Sequence, residues 1–120
     1  MTSVKNAVGA YGERRAVAYL TAEAGMWVLE RNWRCAEGEV DLVCRDGDTI
    51  VFVEVKTRRS GRFGAPVEAL VPDKVERLRR LASLWLAEHR PGRVDVRFDV
   101  VSVWRPLRGR ALVDHVRGAF

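Results

Sequence analysis

The run Gly38-Glu39-Val40-Asp41-Leu42-Val43-Cys44-Arg45-Asp46-Gly47-Asp48-Thr49-Ile50-Val51-Phe52-Val53-Glu54-Val55-Lys56 carries the strongest structural signal in the chain. Two stretches rich in β-branched residues, Val40–Cys44 and Thr49–Val55, flank Asp46-Gly47. Such residues favour a pleated, half-buried surface, and Asp-Gly marks a tight hairpin because both residues tolerate positive φ. Alternate residues of a strand point to one face. Phe52, Glu54 and Lys56 therefore share a face, and Val51, Val53 and Val55 take the other. A hairpin turning on Asp46-Gly47 pairs Arg45 with Asp48 and sets Asp41 opposite Phe52. Asp41 is then a diagonal neighbour of Glu54, with Cα atoms about 7–8 Å apart.

Working outward, the elements read α-β-β-β-α-β-β. Asn6 to Ala24 is a helix whose stripe is Gly9, Glu13, Ala16, Leu20 and Ala24, with Gly25 at its C-terminus. Trp27 to Trp33 reads as a strand. The segment 60–66 is a loop. Asp73 to His89 is a second helix with Val75, Leu78, Leu81, Ala82 and Trp85 on its apolar face. Val94 to Val103 alternates as a strand, and Ala111 to Val116 is a shorter one. One mixed sheet flanked by helices, an α/β fold, accounts for this order over a single domain, residues 1–120.

Composition narrows the setting. The chain has 120 residues, 48% hydrophobic and 31% charged, which suits a globular protein. No run without a charged residue exceeds seven, whereas a membrane span needs about 18 to 20 apolar positions. No apolar stretch follows a basic start, so the expectation is a cytoplasmic protein that binds no membrane. Cys35 and Cys44 have neither metal-ligand nor redox spacing. The net charge is +5, but residues 37 to 54 alone hold six acids and one base. A basic shell around an acidic hairpin suits a protein that attracts a polyanion and holds a cation beside it.

Chemistry gathers at Asp41, Glu54 and Lys56. Two carboxylates on a partly buried face cost free energy unless compensated. Mg²⁺ or Mn²⁺ would compensate them through oxygen ligands, with the backbone carbonyl of Val55 as a further ligand. Such a metal polarises a phosphate and acidifies a bound water, and the Lys56 ammonium stabilises charge on the phosphoryl oxygens. The basic segment Lys56-Thr57-Arg58-Arg59-Ser60-Gly61-Arg62 leaves this site, so Arg58, Arg59 and Arg62 are candidate phosphate contacts. The same residues also fit a solvated strand face, an ordinary surface ion pair and a solvated loop. Trp27, Trp33, Trp85 and Trp104 fit core or subunit contacts better than base stacking. Asp99 fits a structural role or a supporting role at the site.

Asp41 followed thirteen residues later by Glu54-Val55-Lys56 resembles the PD-(D/E)xK signature of restriction-endonuclease-like nucleases, with Val40 in place of the proline. The wider match is to the YraN family of uncharacterised bacterial proteins. It rests on Gly9-Ala10-Tyr11-Gly12-Glu13, Asn32-Trp33-Arg34, Gly38 to Val43, Phe52 to Arg58 with Phe63-Gly64, Lys74, and Arg97 to Val101. The resemblance implies a restriction-endonuclease-like fold similar to archaeal Holliday junction resolvases. It matches Glu13, Asp41, Glu54 and Lys56 to the helix acid, the two metal-binding acids and the catalytic lysine, with Glu13 expected to complete the metal's shell directly or through water. The expectation is a metal-dependent endonuclease acting on structured or branched DNA, a role that favours a two-fold homodimer. The alternatives are a non-catalytic nucleic-acid-binding module on the same fold and a structural protein whose acids point apart.

Overall fold

The apolar run at the centre of the quoted hairpin becomes the middle of a five-stranded sheet. A computed structural model describes residues 7–59, 72–106 and 108–120, without the side chain of Arg59. Its elements are α1 (Ala7–Ala22), β1 (Trp27–Cys35), β2 (Gly38–Asp46), β3 (Thr49–Arg59), α2 (Pro72–His89), β4 (Asp95–Arg105) and β5 (Leu112–Val116). The α-β-β-β-α-β-β order and the α/β class are those expected. The loop expected at 60–66, including Arg62, lies outside the described residues.

The strands lie in the order β1-β2-β3-β4-β5. The first three form an antiparallel meander, β3 and β4 run parallel, and β5 returns antiparallel. The parallel step requires a crossover, and α2 lies within it. β3 is central and covered on both faces, which is why Ile50 to Val53 is continuously apolar. Val51 and Val53 pack with Leu42, Cys44, Val101 and Val103 against Ala16 and Leu20 of α1. Ile50 and Phe52 pack with Val40 and Val43 against Leu78, Leu81, Ala82 and Trp85 of α2. Trp33, Trp85 and Trp104 are buried as core residues, whereas Trp27 on the edge strand β1 is exposed.

Two local features set the geometry near the acids. Gly25 closes the turn after α1: its φ of 69° lets the Met26 N–H donate to the Leu20 carbonyl at 2.9 Å. Earlier in α1, Gly12 lies against Thr57 of β3: a Cβ built there would stand 1.7 Å from Thr57 Oγ1. The helix reaches β3 this closely only because residue 12 has no side chain.

The hairpin register differs from the expected one by two residues. Asp46 pairs with Thr49, Val43 with Phe52 and Leu42 with Val53. The turn residues are Gly47 and Asp48, with Gly47 at φ 60°. A two-residue hairpin follows the strand twist when its first central residue has positive φ, and glycine there does so without strain. Asp46 stays in the strand, where its carboxylate receives Arg97 at 3.1 Å and Arg117 at 3.3 Å. A slip of two residues leaves every side chain on its expected face. It moves Asp41 from a diagonal position to one directly across from Glu54 when the register is extended one step.

Candidate functional site

The acids gather where the β2–β3 ladder stops. The regular β2–β3 pairs end at Leu42 and Val53. At the next step Asp41 Oδ2 accepts the Val55 N–H at 2.8 Å, so the side chain takes over the bond that the backbone gives up. Strand alternation also breaks here. Val40 packs with the α2 cluster and Leu42 with the α1 cluster, although regular residues two apart share a face. On β1 the matching irregularity is Asn32 at φ 54°, between Arg31 and Trp33, whose partners Leu42 and Val40 flank Asp41. Asparagine tolerates this conformation better than most residues.

Asp41 keeps the α2 face that Val43 also takes, and the kink brings Val40 onto that face as well. Asp41 and Glu54 line one cavity of about 190 Å³ with Gly38, Glu39, Lys74 and Arg77, floored by Leu78 and Leu81. Glu54 is mostly buried, with 11% of its side chain exposed, and two lysines meet its Oε1. Lys74 Nζ lies at 2.7 Å and Lys56 Nζ at 3.5 Å. Burial and the neighbouring Lys74 hold the Lys56 ammonium below its ordinary pKa, against the pull of Glu54. Burial also acts against charge on Lys74, but hydrogen bonds to Glu54 and Lys56 and the fields of Glu54 and Asp41 outweigh it, so its pKa rises.

The structure therefore brings together Asp41, Glu54 and Lys56, with Val55 tied in through its amide. Glu13 is elsewhere. It is buried, at 3% exposure, and its Oε1 accepts Asn32 Nδ2 at 2.8 Å and Arg31 Nε at 3.3 Å. Its tie to the cavity is Asn32, across the strand pair from Asp41; it is not among the described residues that line the cavity. Arg58 continues the β3 face of Glu54 and Lys56, and its Nε is buried without a hydrogen-bond partner among the described residues. The side chain of Arg59 and all of Arg62 lie outside the described residues.

Three residues enter that motif reading did not place. Lys74 and Arg77 come from the first turns of α2. They sit at i and i+3 with Leu78 and Leu81 at i+4 and i+7, one helical stripe, so two cations at the head of an apolar stripe were the available signal. Ser102 of β4 pairs with Lys56 and is fully buried, its Oγ without a hydrogen-bond partner among the described residues. No sequence pattern marks it.

Asp99 belongs to a different network on the α1 face. Its carboxylate receives Arg97 at 2.8 and 3.1 Å, His115 Nε2 at 2.8 Å and the Gly118 amide at 3.0 Å. Burial alone would raise its pKa, but these donors overcome it and bring the group down to about 2. His115 passes the chain of bonds on to Tyr19 Oη at 3.1 Å. The network fastens α1, β4, β5 and the residues after β5 together, which is a structural role.

Among the described residues, no group of three or more His, Cys, Asp or Glu side chains converges as a metal cage. The donor set still fits a hard cation of the Mg²⁺ type. Such an ion keeps several waters and is held by one or two carboxylates plus substrate phosphates. Three acids, Glu39, Asp41 and Glu54, line the cavity, and an ammonium already stands on Glu54, so the pocket is one that draws positive charge. Among the described residues no helix is long and apolar enough to cross a membrane.

The model of the family described as "Uncharacterised protein family UPF0102" matches residues 12–103. A UPF0102 protein of Beutenbergia cavernae is 60% identical over 114 residues, covering 95% of this chain and 96% of that protein. One from Nocardioides sp. is 54% identical over 116 residues, covering 97% and 93%. One from Kineococcus radiotolerans is 59% identical over 117 residues, covering 95% and 93%.

Proposed function

The chain belongs to the UPF0102 family, and we propose that it is a nucleic-acid-binding protein that cleaves structured or branched DNA as a metal-dependent endonuclease. The observation that supports this reading is the shared cavity of Asp41 and Glu54 with Lys56 on the Glu54 carboxylate. In this reading Asp41 and Glu54 hold Mg²⁺ or Mn²⁺, with the Val55 carbonyl as a further ligand. When bound, the metal supplies Lewis acidity toward the phosphodiester and its attacking water.

The chain's own residues do the rest. The Val55 amide holds the Asp41 carboxylate in place, so one acid is oriented before any ligand arrives. Lys56 projects from the same face as Glu54 and offers its amino group to the reacting water or to the phosphoryl oxygens. Arg77, at the rim of the cavity, and Arg58, further along β3, supply positive charge to the DNA backbone, with Arg59 and Arg62 continuing the basic segment. Glu13 acts one strand away, holding Arg31 and Asn32 at the kink opposite Asp41. A second reading, a non-catalytic nucleic-acid-binding module, is favoured by one observation: both lysines are paired with Glu54, so that carboxylate is already neutralised.

Cleavage of four-way junction, flap and linear DNA in Mg²⁺ and in Mn²⁺ separates the two readings. The nuclease reading expects metal-dependent product from the wild type and none from Asp41→Asn or Lys56→Met. Binding that weakens with salt, without cleavage in either metal, would establish the module instead.

A further inference from the structure

The chain has 21 basic side chains, 18 of them arginine and three lysine. Two of the three lysines, Lys56 and Lys74, meet at one oxygen of Glu54. The other ion pairs described here, such as Arg31–Glu13, Arg97–Asp99 and Arg117–Asp46, use arginine or histidine. Arginine presents a rigid planar fork that clamps a carboxylate. Lysine is a compact charge on a flexible stem, with no second prong to hold it. The site thus uses the cation that is easier to displace.

Lys74 and a metal ion compete for the Glu54 carboxylate. A Mg²⁺ ligand bond is about 2.0–2.1 Å, and Lys74 Nζ already stands 2.7 Å from Glu54 Oε1. A divalent ion on that oxygen would sit beside an ammonium in a partly buried cavity, where like charges repel strongly. Lys74 makes the closer contact with Glu54, at 2.7 Å against 3.5 Å for Lys56, so it is the ammonium that most directly occupies a metal's place. Lys74 can yield, because it lies in the first turn of α2 and only its stem has to swing.

We propose that Lys74 is the built-in counter-cation of the metal-free site and that a divalent ion must displace it from Glu54 in order to bind. The inference rests on the metal-binding part of the reading above. The competing ammonium makes metal binding weaker than the two carboxylates alone would allow. It also leaves Lys74, once displaced, at the mouth of a cavity that a phosphate enters. Metal loading and phosphate binding then support each other, since the phosphate offers Lys74 a new partner.

Mn²⁺ titration of the full chain, followed by the electron paramagnetic resonance of free Mn²⁺, tests this without any activity measurement. Lys74→Met keeps the stem and removes the charge. It should bind Mn²⁺ about tenfold more tightly than the wild type, the scale expected when one charge-assisted hydrogen bond no longer competes. Lys74→Gln, a second neutral variant, should show the same ordering, and Glu54→Gln should abolish binding. Equal or weaker binding by both neutral variants, with the wild type still binding, would overturn the inference and leave the proposed function standing. No Mn²⁺ binding by the wild type or either Lys74 variant would overturn both.

Discussion

Replacing Gly12 with alanine should destabilise the protein, although glycine-to-alanine changes inside helices ordinarily do the reverse. Two terms oppose each other. Alanine is about 1 kcal/mol better than glycine in a helix interior. Against this, the new Cβ would lie 1.7 Å from Thr57 Oγ1 and 2.8 Å from both Thr57 Cβ and Cγ2. A change of the Thr57 rotamer can move Oγ1 and Cγ2, but Cβ is fixed to a strand paired with β4 through Val103. The helix must therefore lift, and Ala16 and Leu20, both fully buried, lift with it. Overpacking of this kind costs about 1–3 kcal/mol. The net expectation is a loss of up to about 2 kcal/mol, read as a lower urea midpoint at unchanged slope by circular dichroism. Thr57→Ala in the same chain removes the two movable atoms and should recover part of the loss, so the double-mutant cycle should show coupling. A Gly12→Ala protein more stable than the parent, or strict additivity with Thr57→Ala, would refute the close approach of α1 to β3.

Asp99 gives the protein an acid limit. Its pKa is depressed in the folded state, so its contribution is fully present above the ordinary carboxylate range near 3.8 and is lost as pH falls toward about 2. That contribution is on the order of 2 kcal/mol. Urea midpoints between pH 5 and pH 2 should fall accordingly, and Asp99→Asn should be less stable at pH 7 with a flatter pH profile; an unchanged profile would reject the network. The two thiols should also separate. Burial and the charge of Asp99 push the Cys44 thiol up to about 12, while Cys35 is partly exposed. A disulfide-exchange reagent at pH 8 should modify Cys35 in the folded protein and Cys44 only after unfolding; prompt reaction of both would place Cys44 wrongly.

The sheet was legible because β-branched runs and their parity carry direct structural meaning. Thr49 to Val55 read directly as a strand, and Phe52, Glu54 and Lys56 could only share one face of it. The hairpin was legible as a turn but not in register. Asp46-Gly47 and Gly47-Asp48 are both acceptable centres, and the choice depends on Asp46 meeting Arg97 of β4 and Arg117 just after β5, both far away in sequence. Parity survived because the difference was two residues. The kink at Asn32 and Asp41 had no sequence signal beyond an asparagine, so the approach of Asp41 to the Val55 amide was not readable. Glu13 was correctly set on the buried stripe of α1. Its partners Arg31 and Asn32 come from β1, and no local pattern names them. Lys74 was in view as part of a family block, but its meeting with Glu54 depends on how α2 crosses the sheet.

The central claim is that Asp41 and Glu54 together hold a divalent cation. Crystals grown with Mn²⁺ and measured for its anomalous scattering test this most directly. The account predicts a peak between the two carboxylates, with the Lys74 amino group moved away from Glu54. A map with no peak in that cavity, and Lys74 still seated on Glu54 at saturating Mn²⁺, would contradict it.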